Sequence, residues 1–139
     1  MLNPVNGVFL FSTLSSLASS IFIAMTEFLF SYGTLQKEKV QLDLFGRILP
    51  SQPDVLNGYK ILTIEIDDNA FLSKGEEKYQ KTVAASNNNA DSIAGVVLEV
   101  TAEELAAADR YEPRNYRRLK VVLESGTEAW LYIADNSAD

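Results

Sequence analysis

The chain has 139 residues, with no histidine and no cysteine. Those absences exclude a disulfide framework, a thiolate nucleophile, a Cys/His zinc site and a histidine-based triad within this chain. Twelve Lys+Arg against nineteen Asp+Glu give a formal net charge of -7, which disfavours a nucleic-acid backbone as partner. Proton transfer near neutral pH therefore falls to carboxylates, lysines or tyrosines. A hydrophobic fraction of 47% and a charged fraction of 22% describe a soluble globular domain.

No charged side chain precedes Glu27. Residues 7–24 are apolar but broken by Ser12, Thr13, Ser15, Ser16, Ser19 and Ser20. They lack the basic start of a secretory signal, and the hydroxyls weaken a membrane span of nearly sufficient length. Residues 1–24 read as an uncharged extension outside the core. A membrane or export segment and a packed accessory helix are the alternatives. A domain over residues 25–135 keeps enough chain for one small core, and the acidic residues 136–139 form a fraying tail.

Glu27 to Tyr32 is a short apolar run, the pattern of a buried strand, and Gly33 and Thr34 end it. From Gln36 to Phe45 the spacing predicts a short helix with Val40 and Leu44 on one face, capped by Gly46. Leu49 to Gly58, with Pro50, Pro53, Asn57 and Gly58, reads as loop. Tyr59 to Ile66 near-alternates as a strand. Asp67 to Gly75 is a connection rich in turn formers, Tyr79 to Ala85 a third strand, and Ser86 to Asn89 an exposed turn. Ile93 to Val100 is strongly apolar strand. Thr101, with Glu104 three residues on, spells a capping box and starts a helix. Pro113 stops that helix by Glu112. Tyr116 to Leu123 and Glu128 to Ala134 form a hairpin through Glu124, Ser125 and Gly126, with Trp130 and Tyr132 facing inward and Leu131 and Ile133 as further candidates. Five or six strands with two short helices indicate an α+β domain, a curled sheet or small mixed β-barrel with flanking helices.

Three groups of residues could carry chemistry. Asp109 and Glu112 lie three apart near a helix end, on roughly one side. Paired carboxylates can split their pKa values and leave one protonated near neutral pH. The plainer reading is a solvated pair, with Asp109 neutralising Arg110 or a later arginine. Tyr32-Gly33-Thr34-Leu35 sits at a strand end, where successive amides can hold an anion, or it is an ordinary turn with a glycine. Arg114, Arg117, Arg118 and Lys120 either balance an acidic chain or supply one arginine to a substrate carboxylate or to Glu112. Arg117 and Arg118 face opposite sides of an extended segment. No P-loop, dinucleotide fingerprint or calcium loop is present.

Tyr32 to Leu35 after an apolar strand resembles the opening motif of the gamma-glutamylcyclotransferase-like superfamily. The segment Gly95 to Val100, the helix Thr101 to Asp109, Glu112 and Tyr116-Arg117-Arg118 resemble its second block. The resemblance covers most of Phe28 to Ile133. It implies a small mixed barrel around a central cavity, with Glu112 as general acid/base. Tyr32, Gly33, Thr34 and Leu35 would bind the gamma-glutamyl moiety, Tyr116 would line the cavity, and Asp109 and Arg117 would support. It implies a cyclotransferase that releases 5-oxoproline from a gamma-glutamyl amine or amino acid by intramolecular aminolysis. The substrate would be a small molecule, with no cofactor, no metal and no nucleic acid. The protein would be cytoplasmic, a monomer or weak homodimer, with residues 7–24 leaving membrane association open. Pro113 replaces the family's frequent glycine after the glutamate, and Ala108 replaces its frequent leucine before the aspartate. A non-catalytic small-molecule-binding protein on the same fold is the alternative. An interaction protein with a vestigial cavity would separate Tyr32 from Glu112 in space.

Overall fold

The structure is a computed structural model, and it describes residues 26–135. The expectations for residues 1–24 and 136–139 lie outside the described residues.

The first strand, β1 (Thr26–Ser31), runs into a 3-10 turn at Thr34–Gln36 and then helix α1 (Glu38–Phe45). Strands β2 (Ser51–Asn57) and β3 (Tyr59–Glu65) follow, then a one-turn helix α2 (Asn69–Leu72) and β4 (Tyr79–Ala85). The long strand β5 (Ser92–Thr101) leads directly into helix α3 (Ala102–Tyr111), and β6 (Tyr116–Val122) and β7 (Glu128–Ala134) complete the domain.

The local signals act as their chemistry dictates. Gly46 adopts φ 74° and its N–H closes α1 onto Leu42. At α3 the Thr101 side chain accepts the Glu104 N–H at 3.0 Å while the Glu104 carboxylate accepts the Thr101 N–H at 3.0 Å. That satisfies two amides the helix start would otherwise leave unpaired. Glu104 also receives a two-pronged bond from Arg47, 2.8 Å on each oxygen, which ties the end of α1 to the start of α3.

Strand order is β2-β5-β1-β7-β6, with β1 parallel to β7 and every other pairing antiparallel; β3 and β4 form a separate two-stranded ribbon. The expected barrel is therefore wrong, because its two edge strands, β2 and β6, never form a ladder. They approach only through the turn after β6. Glu124 N–H donates to the Val55 carbonyl at 2.8 Å and the Ser125 hydroxyl to Asp54 at 2.5 Å. Barrel closure needs a continuous register around the ring, and a few pinning bonds at one turn do not make one. The chain leaves the sheet after β2 through Gly58, at φ 82°, and spends β3 and β4 on each other.

The segment read as loop over Leu49 to Gly58 is strand β2. Its prolines misled the reading, yet they suit its position. β2 is an edge strand paired only with β5, so Pro53 can lack an N–H without breaking an inner ladder. The connection at Asp67 to Gly75 holds α2, capped by Asp68.

The sheet buries both faces. Leu29, Leu98, Val100, Leu105, Ala108 and Tyr132 belong to the core under α1 and α3. Phe30, Val97, Ala129 and Leu131 belong to the core on the other face, with Leu56 and Val83. Gly95 serves this packing at one point. A Cβ there would stand 2.5 Å from the Ser31 carbonyl oxygen and 2.6 Å from the Phe30 ring. Ser31 immediately precedes the Tyr32-to-Leu35 segment, so Gly95 sets how closely β5 can seat it. Gly95→Ala should destabilise the fold by about 1–3 kcal/mol, the usual cost of overpacking a filled interior, as read by urea unfolding.

Candidate active site

A cavity of about 430 Å³ opens at the end of β1. Its wall includes Tyr32, Gly33, Thr34 and Leu35, and also Glu112, Pro113 and Tyr116. The two blocks separated in sequence thus share one cavity, and the vestigial arrangement, with Tyr32 far from Glu112, is not what the fold builds. Glu76, Glu77 and Lys81 from the α2–β4 side, Lys37 and Tyr132 also line it.

Side-chain amides and a hydroxyl hold the turn in place. Gln36 donates to the Ser31 carbonyl at 2.7 Å. The buried Gln41 on α1 donates to the Leu35 carbonyl at 2.8 Å and accepts the Leu49 N–H at 2.9 Å. The Tyr32 hydroxyl donates to the Tyr132 carbonyl at 2.5 Å and is hydrogen-bonded by Thr82. Burial keeps that phenol protonated, with its pKa raised. The first amides of a helical turn have no partner within it. Those of Thr34 and Leu35 are engaged by no other described residue, and the Gly33 amide has only a long 3.4 Å contact with the Ser31 hydroxyl. Three consecutive N–H groups in the cavity wall are therefore available to an anion or a developing oxyanion. Gly33 has negative φ (-151°), and a Cβ there would meet nothing within 4 Å. Protein packing does not demand glycine here, and without a Cβ the backbone of the cavity wall is left uncovered at this point.

Glu112 is the residue at which α3 ends, its N–H bonded to the Ala108 carbonyl at 3.1 Å and its backbone already extended. Pro113 follows and forbids another helical turn. The Glu112 carboxyl receives no hydrogen bond from any described residue. Burial pushes its pKa up to about 8; Lys74 opposes that rise, and the negative charges of Glu76 and Asp109 add to it. A carboxyl in this state carries a proton at neutral pH and releases it only slightly above, which suits a group that must both take and give a proton.

Asp109 behaves oppositely. Burial pushes it up, but bonds from Arg118 and Tyr132 outweigh that and hold it below the usual carboxylate range. Arg118 contacts both Asp109 oxygens, at 2.7 and 3.1 Å, and the Tyr132 hydroxyl donates at 2.6 Å. Asp109 lines a second, more open recess with Arg117, Arg118 and Trp130, and does not line the cavity that contains Glu112. The expected split of the pair is present in direction, with burial rather than mutual repulsion as its main cause. Arg118 braces Asp109, not Glu112. Arg117 points to Asp135, at 3.8 Å, and does not line the Glu112 cavity. Tyr116 lines that cavity, its hydroxyl donating to the Lys81 carbonyl at 2.9 Å.

The sequence reading missed Lys74 and Glu76, whose charges act on Glu112, and Asp68, which accepts the Arg114 N–H. The one visible signal was an aspartate before Asn69-Ala70-Phe71-Leu72, a cap followed by apolar residues, too short to read as a helix.

The chain belongs to the gamma-glutamyl cyclotransferase, AIG2-like family, whose model matches residues 29–139. Two Arabidopsis thaliana proteins of known solution structure share its fold at 21% identity each, with TM-scores of 0.63 and 0.64. The similarity covers 82% and 83% of this chain, and 65% and 72% of theirs. A gamma-glutamyl cyclotransferase aligns at 16% identity with a TM-score of 0.56, over 80% of this chain and 68% of its own. Curated proteins give no match. Among the described residues, no helix is long and apolar enough to cross a membrane.

The raised pKa of Glu112 has a consequence for stability. The folded state holds the Glu112 proton to about pH 8, whereas the unfolded chain releases it near the ordinary glutamate value. Folding stability is intact below the unfolded value and falls as pH rises toward the folded one. Glu112→Gln removes that titration. Its melting temperature should gain on that of the wild type between about pH 4.5 and pH 8, measured by thermal scans across the range.

Proposed function

We propose that this chain releases 5-oxoproline from a gamma-glutamyl amine or amino acid by intramolecular aminolysis, with Glu112 as the general acid/base. The observation that carries this reading is the sharing of one cavity by the Glu112 carboxyl and the free amides of Gly33, Thr34 and Leu35.

In the reaction the substrate's α-amine attacks its own γ-carbonyl carbon. A carbon–nitrogen bond forms, and the carbonyl electrons move onto oxygen. Ionised Glu112 takes the proton from the attacking nitrogen, and the amides at the turn stabilise the oxyanion. Glu112 then returns the proton to the departing nitrogen as the original amide bond breaks. The products are 5-oxoproline and a free amine, and no water is consumed. Both reacting groups belong to one molecule, so the cavity need only hold a ring-closing conformation. Tyr32 contributes wall and position, since its hydroxyl is already committed to the Tyr132 carbonyl. Tyr116 donates to Lys81, so toward substrate it offers an acceptor.

The assay is 5-oxoproline release across a panel of gamma-glutamyl amines and amino acids. Glu112→Gln should lower kcat by about 10²–10⁴-fold, the usual contribution of a positioned acid/base. Wild-type kcat/KM should rise with pH to a plateau with a midpoint near the Glu112 value of about 8, because the ionised form starts the reaction. Full activity in Glu112→Gln defeats the assignment. Tight binding across the panel without turnover would instead point to a binding protein.

A further inference from the structure

Glu112 stands in the turn between α3 and β6. Its amide bonds back to the Ala108 carbonyl, and the Pro113 carbonyl accepts the Tyr116 N–H at 2.8 Å. Further support comes from the α2 region. The buried Asp68 carboxylate uses one oxygen to cap α2, accepting from Ala70 at 3.1 Å and Phe71 at 3.4 Å. Its other oxygen accepts the Arg114 N–H at 2.9 Å. Lys74 donates to the Tyr111 carbonyl at 2.9 Å, and its ammonium lies 5.0 Å from the Tyr111 ring centre and 5.8 Å from that of Phe71. The Tyr111 hydroxyl donates to Glu76 at 2.5 Å. The residue before Glu112 and the residue after Pro113 are thus each gripped by the same short segment.

We propose that Asp68 and Lys74 are positioning residues, a two-point clamp on Tyr111 and Arg114 that fixes how the Glu112 carboxyl is presented to the cavity. The role rests on the reading of Glu112 as the acid/base. Lys74 acts twice, because it takes the Tyr111 carbonyl left open at the helix end and is a cation facing the Glu112 carboxyl. The other groups that face Glu112 are Glu76 beside Lys74, Asp109 on α3, and the phenols of Tyr111, Tyr32, Tyr116 and Tyr132. Of these, Lys74 alone opposes the effect of burial on Glu112. The Asp68 carboxyl is held below its usual range chiefly by the Arg114 amide, so it remains an acceptor throughout the working pH range.

The test uses the full chain with Asp68→Asn, Lys74→Met and Lys74→Arg. Asparagine keeps a capping oxygen for α2 but replaces one of the two acceptors by a donor, so it cannot serve both α2 and Arg114. Carbon NMR follows the Glu112 carboxyl with pH, and amide exchange follows Arg114, both without substrate. Lys74→Met should move the Glu112 midpoint upward, and Lys74→Arg should restore it. Asp68→Asn should speed Arg114 exchange and lower kcat by about ten- to a hundredfold, the scale for a misplaced catalytic group, while KM changes little. A Glu112 midpoint unmoved by Lys74→Met, or wild-type kcat in Asp68→Asn, overturns the clamp. Full activity in Glu112→Gln would overturn the acid/base reading instead, and the NMR arm would still decide whether the clamp acts on Glu112.

Discussion

Strand β1 must be buried on both faces and still end at a cavity. Leu29 and Phe30 are almost fully enclosed, one in each core. The strand lies between β5 and β7, antiparallel to one and parallel to the other. A central strand so placed cannot shift register by one residue without exchanging the contents of the two cores. That rigidity is passed to the turn it feeds. The free amides of Gly33, Thr34 and Leu35 begin two residues past the last β1 position, and Gly95 on the neighbouring strand admits the Ser31 carbonyl beside them. Displacing β1 would displace these amides, so the packing constraint is also a constraint on the cavity wall.

The opposite side of the cavity is built from a helix end rather than a strand. The capping box fixes where α3 begins and Pro113 fixes where it stops, so Glu112 is delivered at a set distance from Thr101. Its environment does the rest. A carboxylate exposed at a helix C-terminus would remain ionised at neutral pH. Here loss of water raises its pKa, and Lys74 tempers the rise. Asp109, one turn back, shows that the difference lies in partners. It is also partly removed from water, yet two hydrogen bonds from Arg118 and one from Tyr132 keep it charged.

The features legible in the sequence were those whose cause is local. Thr101 with Glu104, Pro113, Gly46 and the turn at Ser125-Gly126 each act within a few residues, and each does in the fold what the sequence implied. The Tyr32-to-Leu35 segment and Glu112 were also named from sequence, although their meeting in one cavity needed the fold. Features set by position in the sheet were not legible. Pro53 suggested a loop because an inner strand rejects proline, and only the strand order reveals that β2 is an edge. The barrel failed for a similar reason, since whether β2 reaches β6 depends on where the chain departs after Gly58. Asp68, Lys74 and Glu76 were invisible as a site because their partners, Tyr111 and Arg114, lie more than thirty residues away.

The lack of histidine acquires a physical sense at this point. Histidine titrates near neutrality without help, whereas a carboxyl must be brought there by its surroundings. Glu112 is brought there mainly by burial, and burial destabilises any charge it develops. The fold offsets that tendency with one cation, Lys74, fastened to the Tyr111 carbonyl immediately before Glu112 and stacked on aromatic rings. A freely moving lysine at this surface would be hydrated and screened. Tethering keeps its charge acting on the Glu112 carboxyl. The same geometry accounts for placing Glu76 on the Tyr111 hydroxyl, where a carboxylate braces the helix end while adding to the upward pressure on Glu112. The Glu112 pKa is thus raised mainly by burial and adjusted by charges on one short segment, the residues after α2, acting on a helix terminus that the sequence alone makes well defined.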